Sequence, residues 1–329
     1  MSAESTESIA LRRWHEFFGL PREPIQHLLP HVHTMNLKAQ GRLFSGVAWA
    51  ALLALPLLPH LSTEVQLLLL SPIILLFGVP HGALDLVFAR QFLGLRSLAN
   101  WTFFSLAYIV CTALVVGLWW IAPGFFLAAF LMISIFHFSG DPEGDTPALF
   151  RMLYGGSIIL CPLLLHQAQV FEVFTFLSGA ANAQMIVALL QWAAWPWLVA
   201  IVAVAIYGAK QEPTRSVELV SVAALLTLAP PLLGFTLFFC AMHSARHVLR
   251  TRDYSYAGTL RSLLGIASLP MAITLAGVAV AWWLSDGIPL DMRLAQLLFV
   301  GLAALTVPHM ILVEQVRWSG WMTGRNVAP

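Results

Sequence analysis

The chain is expected to be an all-α, polytopic membrane helix bundle of about ten transmembrane helices with both termini cytoplasmic, and three observations point there. Apolar side chains make up 59% of its 329 residues and charged ones 10%, whereas an average soluble domain is about a quarter charged. The apolar residues fall in runs bounded by polar and Pro/Gly breaks, and roughly 20 of them cross a bilayer core. Laid out as alternating spans, the chain puts nearly all its basic residues on one side.

Residues 1–40 form a cytoplasmic or interfacial N-terminal segment. Leu11, Trp14, Phe18, Ile25 and Leu28 alternate with charges on either side of Pro21, the pattern of short helices lying in the headgroup plane. His15, His27, His31 and His33 stand there among polar neighbours and read as solvated. The segment lacks the short apolar core and small-residue cleavage site of a secretory signal, so insertion should use the first true transmembrane helix.

Residues 41–318 hold the transmembrane domain, and residues 319–329 a cytoplasmic tail. The spans are expected at about 43–60, 65–89, 101–121, 124–139, 148–165, 185–207, 217–230, 232–249, 263–284 and 294–314, cut by length and hydropathy. Pro230-Pro231 either separates two short helices or breaks one span. The longest loop, about 166–184, is too short for a soluble domain. With the N terminus inside, only Arg293 of the 17 lysines and arginines falls outside. A wrong count upstream would scramble that segregation, so it supports both number and orientation.

Net charge is +1 with no basic run, which gives no sign of nucleic-acid binding. The cysteines Cys111, Cys161 and Cys240 are odd in number and lie inside apolar runs, so they read as core filler rather than disulfides or a thiolate metal site.

Chemistry concentrates in four stretches: Gly78-Val79-Pro80-His81-Gly82-Ala83-Leu84-Asp85, Phe136-His137-Phe138, His243-Ser244-Ala245-Arg246-His247 and Val307-Pro308-His309-Met310. His81, His137, His243, His247 and His309 all fall in the C-terminal half of even-numbered spans, hence at one level in the cytoplasmic half of the bilayer; His60 and His166 fall at the opposite face. His243 and His247, four apart, share a helix face. HxxxH alone is a weak signal, but intramembrane polar groups face a partner, a pathway or the bundle interior. Five imidazoles at one depth therefore point to a metal or cofactor centre, against a purely structural polar network that pins helices together. Neutral imidazoles suit Fe(II), Zn, Cu or Ni better than Mg or Ca.

Around the histidines, Pro80 and Pro308 are placed to bend their helices. The resemblance of Val79-Pro80-His81 to Val307-Pro308-His309 reads as chance. Asp85, one turn beyond His81, is placed to accept a ring N–H of a liganding histidine, or else to pair with Arg90 or Arg246. Asp141 and Glu143 read as loop residues beside Pro142. Arg246 is expected to snorkel to the cytoplasm.

At these four stretches the sequence resembles the Brp/Blh family of bacterial and archaeal membrane proteins, the beta-carotene 15,15'-dioxygenases that supply retinal to microbial rhodopsins. The resemblance covers roughly residues 40–315 and rests on the order of the motifs. It implies Fe(II) held by His81, His137, His243 and His247, dioxygen as co-substrate, and two all-trans-retinals from one beta-carotene. Ser139 followed by Gly140 departs from the glycine expected after His-Phe. The substrate would enter from the lipid bilayer along a tunnel walled by residues such as Phe77, Met132, Phe136, Phe138, Phe239 and Met242. Asp85, His309, Phe136, Phe138 and Met242 would take supporting or pocket-wall positions. Position, not acid–base groups, would choose the bond. A multi-pass protein of the cell (inner) membrane, with a microbial rhodopsin as retinal acceptor, is the implied setting.

Three other readings compete. A two-iron desaturase would need several histidine boxes, and this chain has one HxxxH. A bis-His haem protein would use two of these positions. A metal or proton transporter would carry more intramembrane acids than Asp85 and a histidine route to the outer face.

Overall fold

Long apolar runs fold as helices because only a helix satisfies every backbone donor and acceptor within its own segment. The computed structural model describes residues 37–142, 145–254 and 259–318, which form eleven helices in order. These are α1 Leu37–Ala54, α2 Thr63–Phe92, α3 Leu98–Ile121, α4 Pro123–Phe138, α5 Ala148–Leu165, α6 Gln167–Ser178, α7 Ala180–Gly208, α8 Pro213–Leu228, α9 Pro231–Arg252, α10 Leu260–Leu284 and α11 Leu290–Trp318. Residues 1–36 of the expected N-terminal interfacial segment, with its four histidines, Glu143 and the tail 319–329 lie outside the described residues, and residues 37–40 of that segment open α1 instead.

Local signals set the starts. Ser62, Ser97 and Thr259 accept hydrogen bonds from the free backbone N–H groups of Val65, Asn100 and Ser262 at the heads of α2, α3 and α10. Proline opens α4, α8 and α9, where no N–H is needed. Pro230 and Pro231 thus separate two helices.

Each of the ten expected spans contains a helix. Seven helices, α2, α3, α5, α7, α9, α10 and α11, are long and apolar enough to cross a membrane by length and composition, and α4 is a shorter apolar one. The expected loop 166–184 is instead mostly helix. Its apolar residues Val170, Val173, Phe174 and Leu177 recur at helical spacing and bury one face, and Gly179 at φ 81° turns the chain into α7. A span-length criterion overlooks so short a helix.

The histidine-bearing helices α2, α4, α9 and α11 pack together inside the bundle. Around them, α8 packs on α1, α7 and α5, while α6 is wedged among α4, α7 and α11. α3 has no buried residue and α10 few, as peripheral helices facing lipid would.

Two of the four inner helices lose regular α geometry beside a histidine. Ile74–Gly78 in α2 and Phe238–Ser244 in α9 are π-helical, a distortion common at functional sites. The two segments lie against each other. Gly78 makes that approach possible, because a Cβ there would overlap the Phe239 ring.

Candidate metal centre

Histidine becomes useful here through what its backbone leaves over. Pro80 has no N–H, and the chain leaves the π turn at Val79. Gly82 N–H then bonds to Val79 O at 3.1 Å instead of to Gly78 O, which leaves the Gly78 carbonyl free of the regular helix ladder. His81 Nδ1–H donates to it, and Ser244 Oγ donates to it from α9 at 3.0 Å. The ring of His81 is thereby turned with Nε2 away from its own helix.

Five imidazoles from four helices converge. His81 lies with its ring centroid 4.9 Å from His243, 5.4 Å from His247 and 5.2 Å from His309. His137 lies 4.6 Å from His243 and 5.3 Å from His309, and His247 lies 5.1 Å from His309. All five are less than one-tenth exposed. One ligand atom from each of His81, His137 and His309 lies within 4.8 Å of the other two, and the same holds for Asp85, His247 and His309. The common level expected from span alternation is the level at which the side chains meet.

Acceptors behind the rings settle which nitrogen faces inward. His243 Nδ1 donates to the Asp141 carboxylate at 2.9 and 3.1 Å. His309 Nδ1 donates to Asp85 Oδ1 at 2.6 Å, and Tyr108 Oη donates to Asp85 Oδ2 at 3.1 Å. With Nδ1 carrying the proton in His81, His243 and His309, Nε2 carries the lone pair. His247 Nε2 and His309 Nε2 are buried without a hydrogen-bond partner, and His137 Nε2 sits 3.1 Å from His243 Nε2. Buried unpartnered acceptors cost about 1–3 kcal/mol each. A cation among His81, His137 and His309 would take up three of these lone pairs, so this donor set fits a transition metal.

A second polar layer holds this one. Helix α4 ends at Phe138, and the carbonyls of the buried turn that follows need partners. Arg151 Nε donates to Ser139 O at 3.0 Å, Arg250 to Gly140 O at 3.1 Å and Asp141 O at 2.6 Å, and Arg246 Nη1 to Asp141 O at 3.1 Å. Arginine suits a helix C-terminus, where the backbone dipoles are negative. Ser139 closes the helix through its own hydroxyl, which donates to Ile135 O at 2.6 Å.

Arg246 also forms a two-armed pair with Glu218 of α8 at 2.9 and 2.8 Å and donates through Nε to Gln40 of α1 at 2.8 Å. Gly41 leaves room for the pair, since a Cβ there would overlap Glu218. One guanidinium thus ties three elements to the loop that aims Asp141.

Several sequence expectations change. Arg246 does not snorkel: it is 2% exposed, because Glu218 gives it a buried counter-charge. Asp85 serves His309 rather than His81, and pairs with neither Arg90 nor Arg246. The helix breaks at Leu84 and restarts at Asp85, so the residue four beyond His81 does not lie over it. Asp141 is no ordinary loop residue but is 4% exposed and bonded to His243. Phe136 is 51% exposed on the outer face, about 100° round the helix from His137; Phe77 and Met132 are also exposed. Met242 is buried against Gln40 rather than in the cavity.

Phe138 and Phe239, in contrast, line a cavity of about 110 Å³ that begins at His137. Its walls are apolar except for Ser134, Thr306 and His137 itself.

The partners that sequence reasoning missed carried a signal. Glu218 is an acid within an otherwise apolar run, and a charge in such a run demands a counter-charge. Gln40 and Tyr108 carried none.

Comparison with known proteins adds an independent line. A family model described as beta-carotene 15,15'-dioxygenase matches residues 73–317, which include all five histidines. A beta-carotene 15,15'-dioxygenase of an uncultured marine bacterium is 26% identical over 250 residues, 74% of this chain and 90% of that protein. A "probable beta-carotene 15,15'-dioxygenase Blh" of Halobacterium salinarum is 28% identical over 279 residues, 72% of this chain and 80% of that protein. No solved structure matches. The family match spans well over half of the residues and every histidine of the cluster, and the chain belongs to the beta-carotene 15,15'-dioxygenase family.

Proposed function

We propose that this protein cleaves the central 15,15' double bond of beta-carotene with dioxygen at an Fe(II) centre, releasing two all-trans-retinals. His81, His137, His243 and His247 would hold the metal, with His309 as a further donor. The observation that carries the reading is a cluster of five buried imidazoles, one of which, His137, lines an apolar cavity, in a chain of this family.

Iron(II), when bound, would supply the electrons that make dioxygen reactive toward an alkene. The chain's own residues do the rest. Leu131, Phe138, Phe235 and Phe239 wall the cavity and bind a polyene by burial and dispersion, which excludes water from the histidines. Gly78 O, Asp141 and Asp85 hold the protons of His81, His243 and His309 on Nδ1, so the inward nitrogens stay donors.

Both oxygen atoms end in the two aldehydes, and no proton need move on or off the carbon skeleton. That accords with walls lined by few polar groups. Selection of the bond then falls to position. The substrate would arrive from the bilayer of the cell membrane, and retinal would leave into it, where a microbial rhodopsin is the fitting acceptor.

The test is expression in bacteria that accumulate beta-carotene. Loss of yellow colour with retinal as product is expected, and His81→Ala, His137→Ala, His243→Ala or His247→Ala should abolish both. Colour that persists despite good expression would overturn the reading; a Soret band would then assign the histidines to haem, and its absence would favour metal or proton transport.

A further inference from the structure

A conjugated polyene offers many similar double bonds, and neutral imidazoles do not tell them apart. Something must fix how far the molecule slides in. Three helices measure the distance from the histidines to the far end of the cavity. On α4 it runs from His137 back to Leu127, on α11 from His309 back to Phe299, and on α9 from His243 back to Leu232. Each stretch is about ten residues, or about 15 Å at the helical rise. That is close to half the length of beta-carotene, from its central bond to the edge of one ionone ring.

The far end belongs to α6, the helix that the span pattern did not foresee. Val170, Val173, Phe174 and Leu177 form its cavity face. Its tethers all lie away from the histidines. Thr63 Oγ1, at the head of α2, donates to Glu172 at 2.5 Å; Trp119 Nε1, near the end of α3, donates to Leu177 O at 2.8 Å; and Gln296 Nε2, in the early turns of α11, donates to Phe176 O at 2.9 Å. Along their own helices these partners stand about ten or more residues from His81, Tyr108 and His309, the residues at the metal level, hence at least about 15 Å.

We propose that α6 is the end stop of the substrate cavity and that Phe174 and Leu177 are specificity-determining residues. One ionone ring seats against them, which brings the midpoint of the polyene to the histidines and makes cleavage central. The inference rests on the carotenoid-cleaving reading above and adds the origin of its regiochemistry.

The experiment uses full-length, iron-loaded protein and beta-carotene in detergent, with products separated by chromatography. Wild type should give retinal alone. Phe174→Ala and Leu177→Ala deepen the cavity, and Val173→Phe shortens it. Each should yield an unequal pair of carbonyl-ended apocarotenoids in equal amounts, one longer and one shorter than retinal, at a tenth or more of total product. Should Phe174→Ala not accumulate, Phe174→Leu and Leu177→Val read the same quantity.

Variants that hold iron, turn over and still give retinal alone would overturn the end stop while leaving the reaction intact. So would wild-type protein that cleaves off centre. Wild-type protein that holds iron and cleaves nothing would instead overturn the underlying reaction.

Discussion

Replacing Asp141 tests whether the carboxylate behind His243 tunes the metal site or merely fills space. Asp141 accepts both of its hydrogen bonds from one ring nitrogen, at 2.9 and 3.1 Å, and is almost fully buried. Its backbone carbonyl is held separately by Arg246 and Arg250, so the loop keeps its anchor when the side chain changes. Loss of such an orienting partner weakens metal binding about 10- to 100-fold, or about 1.4–2.7 kcal/mol. Asp141→Leu should show the full effect. Asp141→Asn keeps an acceptor for Nδ1–H but not the charge, and should fall between. The assay is iron affinity by chelator competition, with the thermal midpoint of the metal-free protein as the control. Wild-type iron affinity in Asp141→Leu would refute the reasoning.

Arg246→Met strands Glu218 as a buried charge and should cost about 3–5 kcal/mol, seen as a fall in the denaturation midpoint; the double variant Arg246→Met/Glu218→Leu should recover most of that stability but not the iron affinity. Phe138→Ala removes a buried ring at the cavity mouth and should cost about 3–5 kcal/mol, whereas Phe136→Ala, on the exposed face, should leave product formation and stability nearly unchanged. On the loop after α4, the Arg215 guanidinium at 2.6 Å holds the Asp145 carboxyl below its ordinary 3.8. A depressed folded value makes any stability contribution present above the ordinary value and lost as pH falls through the lowered one. Asp145 is two-thirds exposed, so Asp145→Asn should shift the neutral-pH melting temperature only slightly.

The helix bundle and the histidine cluster were legible because each depends on a periodic or compositional signal. Apolar runs of bilayer length mark helices, and the sidedness of Arg and Lys orders them, so His81, His137, His243, His247 and His309 fall at one level before any coordinates are seen. What lay beyond reach depended on partners distant in the chain. Arg246 looks like a snorkelling cation until Glu218 and Gln40 arrive from other helices. Asp85 looks like a partner for His81 until the break at Leu84 turns it toward His309. Asp141 follows the end of a helix and reads as loop, yet Arg246 and Arg250 hold its backbone beside the cluster. Helix α6 escaped because it is shorter than a membrane span.

Iron content and X-ray absorption of protein purified without oxygen test the metal centre most directly. About one iron per chain is expected, in a shell of imidazole nitrogens near 2 Å, with iron lost when His81 or His243 becomes alanine. Iron retained at full ratio in those variants, or retinal formed by protein that holds no metal, would contradict the convergence of these histidines on one ion.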